Sequence, residues 1–170
     1  MPRHPREAPM AHIVFYEKPG CGGNARQKAL LRAAGHSLEP RDLLRWPWTA
    51  ESLLAFLAPL PVAQWFNRAA PRIKSGEVQP EALDGAAALA LLLDAPLLIR
   101  RPLMELMNEH GVQRMVGFDA AHVHAWVGLG DAAPGASDKP LEGCAAAAGR
   151  HCAPHEKTVN RFAGDQHAPL

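Results

Sequence analysis

The stretch from Ile13 to Leu31 constrains this chain more than any other part of it. Ile13-Val14-Phe15-Tyr16 favours an extended strand and breaks at Pro19-Gly20. Cys21 follows, then Gly22-Gly23, then Ala25-Arg26-Gln27-Lys28-Ala29-Leu30-Leu31 with apolar residues at helical spacing. The order is strand, tight turn, cysteine, helix. A cysteine at that point sets its sulfur beside the first N–H groups of the helix, which lack partners inside it. Those donors and the positive end of the helix dipole favour a thiolate over a thiol. A buried, idle cysteine that happens to precede a helix is the alternative, and exposure separates the two. The flanking Pro-Gly and Gly-Gly weigh towards function, because such residues destabilise a helix start unless backbone must approach something closely.

The length of 170 residues suits one domain with a real core. The formal net charge is +1, so nucleic acid is not an expected partner. No apolar run is long enough to span a bilayer, and no membrane association is expected. Met1 to Met10 holds Pro, Arg and His without the apolar centre of a secretory signal. Three cysteines, Cys21, Cys144 and Cys152, are an odd count for a disulfide scaffold. Both features point to a reducing cytoplasm.

Taken in order, residues 1–11 read as a disordered lead-in, residues 12–129 as one α/β domain and residues 130–170 as a disordered tail poor in large apolar side chains. A strand is expected over His12 to Tyr16 and a helix from Gly22 to Ala34, stopped by Gly35. Ser37 to Asp42 is a weak second strand. Trp46-Pro47-Trp48-Thr49 is a turn ending in a helix cap, with the tryptophans expected as packing rather than a ligand platform. A short helix is expected over Val62 to Phe66 and a loop over Pro71 to Gly76, its Arg72 and Lys74, like Arg68, read as solvated surface or an anion holder. Pro80 opens a helix running to Leu93. Arg101-Pro102 stands at the entrance of a strand, where proline is tolerated and a cis peptide is a candidate. Leu103 to Met107 and Val112 to Val116 form a hairpin around Asn108-Glu109-His110-Gly111, and Asp119 caps a last helix. His122 and His124 on that helix are expected as one solvated and one packed histidine. In the tail Cys144, His151, Cys152 and His155 have the chemistry of metal ligands but no Cys-x-x-Cys spacing, so no metal site is assigned.

Several of these words are more specific than the element order. Phe15-Tyr16-Glu17-Lys18-Pro19-Gly20-Cys21, Trp65-Phe66-Asn67, Pro71-Arg72-Ile73-Lys74-Ser75-Gly76, Leu98-Ile99-Arg100-Arg101-Pro102-Leu103 and Val116-Gly117-Phe118-Asp119 occur in one joint order. Together they resemble the nitrogenase-associated branch of the arsenate reductase (ArsC)/Spx-like family, over about Ile13 to Leu129. The resemblance implies a thioredoxin-like fold: a mixed sheet of about four strands with a helical insertion between the second and third. It implies that Cys21 is the nucleophile, that Arg101 holds the anion, and that Pro102 is the active-site proline. In the family's reductases glutathione and glutaredoxin complete the cycle. The chain departs from the pattern in its other arginines. One falls on Ala25, with Arg26 a place late. One falls on Asn67, with Arg68 beside it. One falls near Gly117, with Arg114 the closest cation. A second cysteine of the Spx-type branch would stand at Asn24.

Two functions follow as expectations. One is single-cysteine thiol redox chemistry on a small oxyanion or a disulfide, in which Cys21 attacks and an external thiol resolves the adduct. Arg101, with Arg26, Arg68 or Arg114, would neutralise the charge, and the backbone of Gly22, Gly23 and Asn24 would form an anion nest beside Pro102. No bound cofactor is expected, glutathione being a co-substrate and glutaredoxin a candidate partner. The other is a non-catalytic module that binds a nitrogenase-related protein. Cys144 or Cys152 could also resolve an adduct, though the tail's composition favours idle thiols.

Overall fold

The computed structural model describes residues 10–132 and Leu141. Cys144, His151, Cys152 and His155 lie outside those residues, as do most of the expected lead-in and tail.

The first strand, β1 (His12–Glu17), leads through the Pro19-Gly20 turn into α1 (Gly22–Ala33). Gly35, at φ +90°, ends that helix in a conformation that L side chains rarely adopt, and the chain returns as β2 (Ser37–Asp42). The insertion follows: α2 (Ala50–Leu57), a 3₁₀ turn (Val62–Trp65), α3 (Pro71–Lys74), a 3₁₀ turn (Pro80–Ala82), α4 (Gly85–Asp94) and a 3₁₀ turn (Pro96–Leu98). The hairpin β3 (Leu103–Asn108) and β4 (Gly111–Val116) and the helix α5 (Ala120–Val127) close the domain.

The sheet order is β2-β1-β3-β4, with β2 parallel to β1, β3 antiparallel to β1 and β4 antiparallel to β3. The expected mixed four-stranded sheet with an insertion between its second and third strands is therefore present. Alternation along the strands splits the core in two. Ile13, Phe15, Met104 and Leu106 face α1 and α5, where they meet Leu31, Val123 and Val127. Tyr16 and Leu103 face the insertion, where they meet Leu53, Leu57, Phe66, Leu92 and Leu98.

Local chemistry explains where the insertion departs from expectation. The helix foreseen from Pro80 to Leu93 is broken: Asp84 accepts from Ala87 N–H at 2.8 Å and so starts α4 afresh. Between the two pieces Leu83 is extended. The loop foreseen over Pro71 to Gly76 contains one α-helical turn, with Pro71 in its first turn. The short helix foreseen over Val62 to Phe66 is a 3₁₀ turn that ends at Trp65, because Phe66 is extended and bridges to Ile99. Thr49 caps α2 in a reciprocal box with Ser52. Trp46 and Trp48 pack as expected, their rings 5.3 and 5.0 Å from that of Tyr16.

The histidine expectation is corrected. His122 and His124 are both exposed, and among the described residues the packed histidine is His36. Its Nδ1 accepts from Ala11 N–H at 3.2 Å and its Nε2 donates to Gly128 O at 2.6 Å, since the first partner can only donate and the second only accept. His36 thus ties the start of β1 to the end of α5.

Candidate active site at the head of the first helix

Cys21 occupies the N-cap of α1 with extended backbone, φ −77° and ψ 117°. Its carbonyl accepts the helix bond from Ala25 N–H at 3.0 Å, and its own N–H donates to Lys18 O at 3.1 Å, closing the turn. Gly20 makes that turn at φ +76°. The helices α2, α4 and α5 use a side-chain oxygen at the same position, from Thr49, Asp84 and Asp119. Helix α1 has a sulfur there and no acidic residue in its first turn. Cys21 is 6% exposed, Gly23 is buried and Gly22 faces solvent. The aligned peptide dipoles favour a thiolate at this place, and desolvation opposes it.

A buried polar relay braces the turn. Asn24 Oδ1 accepts from Lys18 N–H at 3.3 Å, Asn24 Nδ2 donates to Gln27 Oε1 at 2.8 Å, and Gln27 Nε2 donates to Leu141 O at 2.5 Å. Asn24 and Gln27 are 2% and 1% exposed. The Asn24 side chain is therefore spent on holding the loop. Leu141 also packs against the α1 side of the sheet. Lys28 and Glu17 pair at 2.7 Å and tie α1 to the end of β1. The sequence did not single out Gln27, because nothing local marks a helical glutamine as buried.

The second half of the site comes from the strand entrance. The Arg101-Pro102 peptide is cis. The antiparallel register that pairs Tyr16 with Leu103 carries Pro102 to the end of β1, where the chain turns towards Cys21. Pro102 O accepts from Gly117 N–H at 2.8 Å. Arg101 is 9% exposed and donates through Nη1 to Leu97 O at 3.4 Å.

The remaining expected site residues fall in different places. Arg68 and Arg101 meet in one cavity of about 440 Å³, which Lys74 and Arg100 also line; Cys21 does not line it. Nothing local in the sequence marks Arg100 or Lys74 as neighbours, because only the tertiary fold brings the insertion beside the β3 entrance. Asn67 is buried and structural: it donates to Leu97 O at 3.4 Å and accepts from Ala69 N–H at 3.1 Å. Arg68 pairs with Glu81 at 2.6 Å and holds that carboxyl below its ordinary range. Arg26 is exposed on α1. Arg114 is committed elsewhere, paired with Glu105 at 2.9 Å and set 5.4 Å over the Phe56 ring. No cluster of metal-ligating side chains occurs among the described residues.

Comparison with known proteins agrees with this architecture. No family profile matches the chain. An uncharacterized 15.7 kDa protein in the draG 3′ region of Rhodospirillum rubrum is 52% identical over 142 residues, covering 84% of this chain and 94% of that one. Solved structures share the fold, among them two ArsC-related proteins. A protein described as ArsC family related, from Bacteroides fragilis, is 24% identical at a TM-score of 0.55, covering 66% of this chain and 95% of its own. An arsenate reductase (ArsC) related protein from Brucella melitensis is 24% identical at a TM-score of 0.51, covering 68% and 93%. With the thioredoxin-like sheet, the cysteine-headed helix and the cis-proline in place, the chain is an ArsC-like protein and belongs to one family with its Rhodospirillum rubrum relative.

Proposed function

We propose that the protein carries out single-cysteine thiol redox chemistry of the arsenate reductase type, linked to glutathione and glutaredoxin in the cytoplasm. The observation that carries this reading is the position of Cys21 at the N-cap of α1, with the register of β1 and β3 bringing cis-Pro102 to the same end of the sheet. The Cys21 thiolate would attack one sulfur of a mixed disulfide while the other leaves as a thiolate. Glutathione would then take the group from Cys21 and restore the thiol. For an oxyanion such as arsenate, the N–H groups of Gly22, Gly23 and Asn24, with Arg101 nearby, would hold the negative charge. The reducing compartment keeps such a thiol ready. No described helix is long and apolar enough to cross a membrane.

A second reading has its own support. Asn67 and Arg114, at or near two arginine positions of the family, are tied up in Leu97 and Glu105, and Cys21 is largely buried. These features suit a partner-binding or regulatory module, and a partner related to nitrogen fixation fits the draG 3′ region named for the Rhodospirillum rubrum relative. The experiment is a glutathione/glutaredoxin-coupled assay with arsenate and with mixed-disulfide substrates, comparing wild type and Cys21→Ser. Turnover by wild type that the serine variant lacks supports the redox reading. No wild-type rate on either substrate class would sink it and leave the binding module.

A further inference from the structure

We propose that the outer face of the insertion, where α2 lies beside α4, is an interface between two copies of this chain in solution. It involves no step of the Cys21 chemistry and goes beyond the reading above.

Charge gives the first argument. Neither Ser52 to Asn67 nor Gly85 to Leu93 holds a charged residue, although 21% of the chain is charged. The two stretches meet. Helix α2 packs beside α4, and a Cβ placed on Gly85, at the start of α4, would stand 3.7 Å from Trp65 and 3.8 Å from Val62. A helix without a polar face belongs in an interior. Only one side of α4 is inside. Ala88 and Leu92 are fully buried, whereas Ala86 and Ala90, on the opposite side, are exposed and Leu93 is half-buried. Ala55 on α2 is exposed too, as are Ala58 and Pro59 just beyond it. A free surface that runs uncharged across two neighbouring helices marks a place of contact.

Matching gives the second argument and names the occupant. A charged surface that covered this face would have to shed the water on its charges without gaining a partner. A second copy brings the same uncharged face. A two-fold pair then sets apolar surface on apolar surface with no charge stranded between them. The charges that resume at the ends, Glu51, Asp84 and Asp94, are exposed and acidic, which gives an anionic membrane no attraction. Size sets the strength. With 8 and 10 residues, α2 and α4 are about 12 and about 15 Å long and each about 10 Å wide, a face of roughly 300 Å². That is below half of the roughly 800 Å² that each partner gives to a standard interface, so the pairing is weak and reversible.

The test is sedimentation equilibrium of the full chain from about 5 µM to about 1 mM, with a reductant present so that no disulfide joins two chains. The mean mass should rise from one chain towards two across that range. Ala90 is exposed, so Ala90→Glu should keep the fold by circular dichroism and weaken association about ten-fold or more, since the pair would have to desolvate the new charge. Ala121→Glu, exposed on α5 at the other face of the sheet, should leave association unchanged. Flotation with neutral phosphatidylcholine vesicles covers a lipid occupant. The proposal is overturned if the chain stays monomeric at the top of the range, whether or not the vesicles capture it. It is overturned equally if Ala90→Glu folds normally and associates as wild type does, or if Ala121→Glu abolishes association as well.

Discussion

Cutting the relay beneath the Cys21 turn perturbs the site without touching the sulfur. Asn24→Ala removes the acceptor of Lys18 N–H and the donor to Gln27 Oε1. A buried polar group left without a partner costs about 1–3 kcal/mol, so the variant should lose roughly 2–5 kcal/mol of stability. The Lys18 bond is long at 3.3 Å and only part-buried, which places the expected loss in the lower half of that range. Gln27→Ala strands Asn24 Nδ2 and Leu141 O and should cost a similar amount. Both single changes break the same Asn24–Gln27 bond, so the double variant should lose less than their sum, by roughly 0.5–3 kcal/mol. Urea unfolding followed by tryptophan fluorescence measures all three. A second assay asks about the site. In a Cys144→Ser/Cys152→Ser background, only Cys21 can react with a thiol reagent. Asn24→Ala should speed that reaction more than Leu53→Ala, a core truncation away from the turn that costs about 2–5 kcal/mol. Strict additivity of the two losses, or Cys21 reactivity that follows global stability alone, would refute the reasoning.

Three further outcomes are expected. His36→Ala should cost roughly 1–3 kcal/mol by urea unfolding, because Ala11 N–H and Gly128 O, both part-buried, lose their partner. His36→Gln should recover part of it. Tyr16 is the single tyrosine, and burial holds its phenol above the ordinary value of 10.0 despite the opposing bond from Arg41. The unfolded chain then ionises first. Stability present below about pH 10 is lost as the pH rises through the folded-state value, and Tyr16→Phe should remove that fall. A near-ultraviolet phenolate titration of the folded protein checks the direction. Thr49→Ala opens the capping box on α2 and should lower stability by about 1 kcal/mol in thermal or urea unfolding, whereas Thr49→Ser should be nearly neutral.

Much of this protein was legible along the chain because the deciding interactions are local. The β1-turn-Cys21-α1 order, the Gly35 stop, the Thr49 and Asp119 caps and the proline at the β3 entrance each depend on residues within a few positions of one another. The same holds for β1 and β3, which run apolar in windows short enough to read, whereas Ser37 to Asp42 carries a single large apolar residue and is held as β2 by its pairing with β1. Only the tertiary structure could decide which polar residues are inside. Asn24, Gln27, His36 and Asn67 look like surface residues in sequence, and they are buried because their hydrogen-bond partners, Lys18, Leu141, Gly128 and Leu97, arrive from other elements. The cationic cavity is of the same kind. Arg68 and Lys74 stand some thirty positions from Arg100 and Arg101 in the chain, and packing of the insertion on the sheet sets the four charges around one space. Periodicity and capping are properties of a segment, whereas burial of a polar group is a property of whatever packs against it.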